Sequence, residues 1–342
     1  MELARDIGQA LSDAAYFVTY HLTVAVTPFL QRDSFLYWPF IISTVAIAAF
    51  AWRLGFSTPA DSPGRSWREF FAHYFGRRLW WHRSARADYV LYVANAVLLP
   101  LIFGYVLFGE TRVVELIDTV LERPQAPDAA GRTEAGLPAR LLFTVVFFVA
   151  YDFGRFVAHC LLHEIPLLWE FHKVHHSAEV LTPMTTFRAH PLDLLVMAWV
   201  PAITTGAATW LFHEATSGAI TFYSFLGLHV IIWVANLIGN LRHSPVWLSY
   251  GPRWGRWLIS PAHHQLHHSC EPRHFGCNRG FELAIWDRIY GTLYVPPMRP
   301  ERFRMGLGDA TDGQWNSLAR LYLWPVAGAW RVVMRRSSRR ES

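Results

Sequence analysis

LLFTVVFFVAYDFGRFVAHCLLHEIPLLWEFHKVHH, residues 141–176, places histidines directly after a long apolar run. The run from Leu141 to Leu162 is long enough for a helix to cross a bilayer, which takes about 20 residues. His159 and His163 lie at its end, and Pro166 is expected to end the helix. This stretch therefore predicts a membrane helix that carries histidines at one end.

Three histidine clusters share this kind of spacing: His159 and His163 in HCLLH; His172, His175 and His176 in HKVHH; His264, His267 and His268 in HQLHH. Residues three and four apart share one face of a helix, so each cluster points its imidazoles in one direction. Neutral imidazole is the commonest metal ligand, and eight imidazoles exceed what one tetrahedral or octahedral ion holds. The clusters predict a dinuclear metal site.

Other polar residues are candidates to complete or support this site. His190, in FRAHP, and His243, in LRHSP, are isolated in sequence but lie at the ends of apolar runs. His263 points to a different helix face from the HQLHH cluster and is expected to support the ligands. Asp152 either pairs with Arg155 or, as we favour, supports the site, for example by accepting an imidazole N–H. The remaining histidines are interpreted as ordinary core or surface residues.

The composition predicts an all-α polytopic membrane bundle. Hydrophobic residues make up 52% of the 342-residue chain, and aromatic residues make up 15%. Five apolar runs approach membrane-spanning length: Phe35–Trp52, Tyr89–Phe108, Leu141–Leu162, Leu192–Phe212 and Ile220–Leu241. A weaker run, Ala14–Leu30, is expected at the interface, and no cleavable signal is evident.

The charges of the loops predict on which side of the membrane each loop lies. Residues 53–87 carry seven arginines against two acidic residues and are predicted to be cytoplasmic. Residues 109–140 carry six acidic residues against four arginines and are predicted to be external. Following the runs onward places all three clusters in a cytoplasmic helical cap. The predicted regions are a membrane region over 1–140 with spans at about 35–52 and 89–108, a catalytic domain over 141–297, and a cytoplasmic tail over 298–342.

The net charge and the imidazole ligands limit the classes of function that this chain can have. The net charge of +5 is explained by cytoplasmic arginines, and no nucleic-acid motif accompanies it. All-imidazole coordination suits zinc, copper, nickel and iron alike. Apolar surroundings favour a reaction on a lipid, where oxidation of a C–H bond by dioxygen most needs a metal. The alternative is a metal transporter or sensor, but the runs offer few polar groups for a conduction path.

The motifs resemble those of the fatty acid hydroxylase and sterol desaturase superfamily. HCLLH, WEFHKVHHSAE, FRAHP, ISPAHHQLHHS and NRGFELAIWDRIYGTLYVP occur in that order between about Leu141 and Pro297. The resemblance implies a membrane enzyme with two non-haem iron ions, for which zinc can substitute in purified protein. Such an enzyme hydroxylates or desaturates a sterol-like, fatty acyl or ether lipid with dioxygen. A separate electron donor (a ferredoxin, a cytochrome b5-like protein or a reductase) is implied, because the chain has no haem or flavin motif.

The resemblance also implies a ligand set. It consists of His159, His163, His172, His175, His176, His243, His264, His267 and His268, with His190 as a further candidate. Some members carry one more histidine at the position of Gly239. Here Asn236 or Asn240 fills that role, or the site has one ligand fewer; Asn240 is expected to support the site.

Overall fold

The computed structural model describes residues 19, 23, 26–32, 34–56, 66–103, 109–122, 135–216, 220–225 and 228–338. Helices dominate these residues. They are α1 (Trp38–Leu54), α2 (Trp67–Tyr74), α3 (Arg77–Trp80), α4 (Arg83–Phe103), α5 (Glu110–Val120), α6 (Leu137–Glu164), α7 (Pro166–His176), α8 (Pro191–Thr216), α9 (Val230–Gly239), α10 (Gly251–Trp254), α11 (Pro261–His267), α12 (Ile285–Tyr290) and α13 (Leu318–Ser338). Short 3-10 helices cover Thr27–Phe29, Pro183–Phe187 and Pro272–His274, and β1 (Ser224–Phe225) pairs antiparallel with β2 (Leu228–His229).

Two of the described helices, α6 and α8, are long and apolar enough to cross a membrane. They pack against each other along much of their length. At the crossing, Gly154 lets the backbone of α8 approach closely, and the Thr204 hydroxyl donates to the Ala150 carbonyl at 2.7 Å. Small residues and hydroxyl groups serve helix contacts in lipid in this way. The pair forms the support from which the first histidine cluster projects.

Gly154→Ala is expected to destabilise the protein by about 1–3 kcal/mol, because overpacking forces backbone shifts. A Cβ at this position would lie 2.6 Å from Pro201 Cα. Thermal unfolding in detergent measures the effect. Gly136→Ser is the control, because a Cβ at Gly136 meets only Pro138 at 3.8 Å. Equal melting temperatures for both variants and the parent would contradict this account of the crossing.

The fifth predicted span does not form a continuous helix. Residues 220–241 contain the β1–β2 hairpin and then α9, which has only 10 residues. Tertiary contacts hold this segment extended, because the amide of Tyr223 donates to the Thr144 hydroxyl and His229 bonds the Thr144 carbonyl. Of the first two predicted spans, α1 has 17 residues, and α4 starts at Arg83, with residues 104–108 outside the described part. Most of the 14–30 run also lies outside it.

Prolines set the boundaries of the helices that carry histidines. α6 ends at Glu164, Ile165 is extended, and α7 begins with Pro166, as the sequence predicts. Pro191 opens α8, and Pro261 opens α11. The region predicted to be a tail contains α13, which packs against α7 and α4. This last helix therefore belongs to the folded body that surrounds the histidines.

Candidate metal centre

Nine histidines converge in two adjacent groups. One group contains His159, His163, His172, His176 and His267, and the other contains His175, His243, His264 and His268. Within each group the nitrogen atoms offered as ligands lie within 4.8 Å of one another. Rings of the two groups also touch, with centroids 4.8 Å apart for His176 and His268. The structure thus brings together all nine histidines of the implied ligand set.

HKVHH and HQLHH each divide between the two groups, and in both clusters the two histidines four residues apart stay together. His172 and His176, four residues apart, share one group, while His175 belongs to the other. Similarly, His264 and His268 stay together and His267 does not. Residues four apart on a helix differ by only about 40° in direction, whereas adjacent residues differ by about 100°. Each cluster therefore contributes to both groups.

Backbone carbonyls fix which nitrogen of several imidazoles faces the centre. Nδ1 of His159 donates to the Arg279 carbonyl at 2.8 Å, and Nδ1 of His267 donates to the Cys277 carbonyl at 2.7 Å. A carbonyl oxygen can only accept, so these Nδ1 atoms carry the hydrogen and the opposite Nε2 atoms carry lone pairs. Those lone pairs point into the group.

The spacing of the Nε2 atoms fits a shared cation. His163 Nε2 lies 3.2 Å from both His159 Nε2 and His267 Nε2, and His264 Nε2 lies 2.9 Å from His243 Nε2. Ligands about 2.1 Å from an ion are about 3.0–3.4 Å apart along the edges of an octahedron or tetrahedron. The buried Nε2 atoms of His172 and His176 have no hydrogen-bond partner among the described residues. The imidazole nitrogens of the two groups therefore have the spacing expected of ligands to two metal ions.

Burial keeps these imidazoles in the form that binds metal. Desolvation lowers the pKa of His175 to about 4 and that of His267 to about 3. It also lowers the pKa values of His176, His243, His264 and His268. These groups are neutral at pH 7, so metal ions do not have to displace protons from them.

Asp193 supports the histidines, although no motif in the sequence predicts this role. Its carboxylate accepts a hydrogen bond from His172 Nδ1 at 2.9 Å, and both side chains are buried. The residue lies in the first turn of α8, 21 positions after His172, and its only sequence signal is its place two residues after FRAHP. Asp152, proposed for such a role, instead accepts from the amides of Glu282 and Leu283 and from the Trp286 indole. It holds the segment after Phe281 rather than an imidazole.

Asp193→Ala is expected to weaken metal binding by about 10- to 100-fold, the usual effect of removing a carboxylate that orients a ligating histidine. Competition with a chelator, followed by metal analysis, measures the change. Asp193→Asn retains an acceptor oxygen for His172 Nδ1 and should recover most of the affinity. Unchanged metal retention in Asp193→Ala would show that the hydrogen bond does not contribute.

Arg188 is the second supporting residue that the sequence analysis did not single out, although it lies within FRAHP. Its fully buried guanidinium pairs with Asp88 at 2.7 Å and donates to the carbonyls of Val174 and Trp315. Its own carbonyl accepts from His175 Nδ1 at 3.2 Å. Arg188 therefore joins α4, α7 and the segment before α13, directly behind the second group of histidines.

Three other candidates lie outside both groups of histidines. His190 Nδ1 accepts from the Leu192 amide at the start of α8. His263 accepts from the Ser260 amide and bonds the Gly255 carbonyl, so its ring caps α11 instead of touching the ligands. Asn240 donates to the Phe35 carbonyl at 2.7 Å. Each of these three side chains bonds to backbone groups and not to a histidine of either group.

Phe35 occupies the space beside Gly239. A Cβ at Gly239 would lie 2.7 Å from Phe35 Cε1, so no larger side chain fits there without displacing the ring. Asn236 lines a cavity that none of the nine histidines lines and, like Asn240, belongs to neither group of histidines. Among the described residues, the gap left by Gly239 is therefore filled by an aromatic ring rather than by a ligand.

The first group of histidines and the second both open onto a small cavity of 160 Å³, which we call the metal cavity. Its lining includes His159, His172, His175, His243 and His264. A larger cavity of 630 Å³, here the inner cavity, shares Phe35, Arg155 and Met197 with it. Apolar side chains supply most of the inner cavity's lining. A mainly apolar space therefore leads to the imidazole groups.

Residues 144–292 match the family model described as fatty acid hydroxylase, and this segment contains all nine histidines. This match supports the resemblance of the histidine motifs to those of the fatty acid hydroxylase and sterol desaturase superfamily. The matched fatty acid hydroxylase segment runs from within α6 to just beyond α12, so it includes every element that carries a histidine of the two groups.

Similar proteins with curated names act on several kinds of lipid. Ornithine lipid hydroxylase of Rhizobium tropici is 33% identical over 186 residues, covering 52% of this chain and 50% of that protein. Human alkylglycerol monooxygenase is 28% identical over 153 residues, covering 43% and 29%. Rat cholesterol 25-hydroxylase is 26% identical over 181 residues, covering 52% and 56%. The chain thus spans about half or less of the length of most of these relatives, and no solved structure gives a significant match.

Proposed function

We propose that this protein is a membrane-bound oxidoreductase that hydroxylates or desaturates a lipid. The observation that carries the proposal is the pair of adjacent all-imidazole groups lining a small cavity that adjoins a larger, mainly apolar one. The names of the relatives, which include lipid hydroxylases, a lipid monooxygenase and a Δ7-sterol 5(6)-desaturase, support the same reaction class.

We infer that the nine histidines hold two iron ions, which when bound supply oxidation of a C–H bond with dioxygen and external electrons. The chain's own contribution is to position these ligands and to exclude water. The carbonyls of Arg279 and Cys277 and the carboxylate of Asp193 keep the lone pairs of His159, His267 and His172 directed inward. Apolar walls shield the reacting carbon from solvent.

The proposed membrane arrangement follows the sequence analysis. α6 and α8 cross the bilayer, and the histidine groups lie in a cytoplasmic cap at its inner surface. The excess of arginine in residues 53–87 supports this side. The catalytic domain is proposed to cover 141–297. Electrons come from a separate donor protein, a ferredoxin, a cytochrome b5-like protein or a reductase.

Lipid analysis of cells with and without the gene tests the proposal. Cells that make the protein should contain a hydroxylated or desaturated lipid that is missing from cells making His267→Ala. Growth under ¹⁸O₂ should label a hydroxyl product, which separates direct oxygenation from hydration. Vesicles that contain the protein and move metal ions without consuming oxygen would point to the transporter alternative.

A further inference from the structure

Arg155 lines both the metal cavity and the inner cavity. Arg155 precedes His159 by four residues, about 6 Å along α6. Its Cζ atom stacks 3.7 Å from the Phe281 ring centroid. Stacking uses the faces of the guanidinium and leaves its N–H groups directed outward in the plane. Arg155 forms a long ion pair with Glu282, 3.9 Å from Nη1 to Oε1, and among the described residues no group is close enough to accept a hydrogen bond from it.

Two further polar atoms on the inner cavity also have no hydrogen-bond partner within the described part of the chain. They are Asn236 Nδ2, on a side chain that is 2% exposed, and Glu282 Oε1. The other oxygen of Glu282 is 2.6 Å from Arg242. Buried polar groups are normally satisfied, so unpaired atoms on one cavity point to a missing partner. The partner must accept from Arg155 and Asn236 and donate to Glu282.

The charges around these atoms are already balanced. Arg155 and Arg242 face Glu282 and Asp152, which gives two cations and two carboxylates. Glu110 lines the same cavity from α5, and burial raises the pKa of its carboxyl group. An added anion would therefore meet no net positive charge. Arg155, Asn236 and Glu282 therefore need hydrogen-bond partners that carry no charge.

We propose that Arg155, Asn236 and Glu282 form a polar subsite for an uncharged lipid group that both accepts and donates a hydrogen bond, namely an amide or a hydroxyl. The inference rests on the proposed function and adds a substrate class to it. An amide offers a carbonyl oxygen that can accept from Arg155 or Asn236 and an N–H that can donate to Glu282; a hydroxyl accepts and donates with one oxygen. Because Arg155 also lines the metal cavity, the oxidised carbon lies near this group rather than at the far end of the lipid.

Binding in the absence of dioxygen tests the subsite without requiring turnover. Tritiated N-methylpalmitamide is bound to metal-loaded protein in detergent, and hexadecanol, methyl palmitate and palmitic acid compete for it. The amide and the alcohol should bind about tenfold more tightly than the ester, which lacks a donor. They should also bind more tightly than the anionic acid. Equal affinity for the ester, or tightest binding of the acid, would overturn the proposal.

Asn236→Leu should lower the affinity for N-methylpalmitamide about tenfold. Thr209→Val is a matched control, because Thr209 also carries a buried unpartnered polar atom on a neighbouring helix but lines neither cavity. It should bind the amide as the parent does. An Asn236→Leu protein that elutes normally and binds the amide at full affinity refutes the subsite. Lipid preference in the parent protein decides the question if that variant does not fold.

The two proposals can fail separately. If no lipid is oxidised but the binding order and the Asn236→Leu effect hold, the subsite stands and the oxygenase proposal fails. If a lipid is oxidised but binding ignores Asn236 and the donor group, the oxygenase proposal stands and the subsite fails.

Discussion

Replacing His175 with alanine is expected to leave about one metal ion per chain instead of about two and to reduce lipid oxidation to background. His175 belongs to the four-histidine group, so its loss leaves three imidazoles for one ion, while the five-histidine group keeps all its members. The two ions are proposed to act together, so the remaining ion should not support turnover. Metal analysis of purified protein and product formation measure the two effects.

His190→Asn is the matched control for this prediction. His190 is buried and lies in the same region, but it belongs to neither group, and its Nδ1 accepts from the Leu192 amide. Asparagine can cap a helix in the same way. This variant should keep about two ions per chain. Loss of metal from His190→Asn, or full oxidation activity in His175→Ala, would mean that the division into two groups is wrong.

Arg188→Met is expected to cause the largest loss of stability, about 3–5 kcal/mol, because removing one partner leaves a buried charge without compensation. Arg188 and Asp88 are both fully buried. The change also removes the donors that hold the carbonyls of Val174 and Trp315. We expect a much lower melting temperature in detergent and, because the Arg188 carbonyl orients His175, a reduced metal content.

Two companion variants separate charge from geometry at this site. Arg188→Lys keeps the positive charge but not the planar array of donors, so its stability should be intermediate. Combining Arg188→Met with Asp88→Leu removes both charges and should recover part of the loss. If the double variant is less stable than Arg188→Met alone, the uncompensated charge of Asp88 is not the cause of the destabilisation.

The support around the histidines could not be read from the chain, because it depends on partners distant in sequence. Arg188 meets Asp88 100 positions before it and Trp315 127 positions after it. Asp152, inside an apolar run, is predicted to support an imidazole, but it accepts instead from an amide 130 positions away. The segment 220–241 does not form one continuous helix for a related reason: contacts with Thr144 override the helical tendency of part of this apolar segment.

The local spacing of residues in the sequence determined which histidines converge. Histidines three and four apart on a helix must share a face, so HCLLH, HKVHH and HQLHH identified eight of the nine converging histidines without any coordinates. The ninth, His243, is a candidate from its place at the end of an apolar run, and the resemblance to the fatty acid hydroxylases adds it to the ligand set. Only the tertiary structure decided how the histidines divide into groups of five and four, which carbonyls and carboxylate orient them, and which cavity they face. A helix fixes the direction of its own side chains, but the crossing of helices and the closure of loops between them decide what those side chains meet.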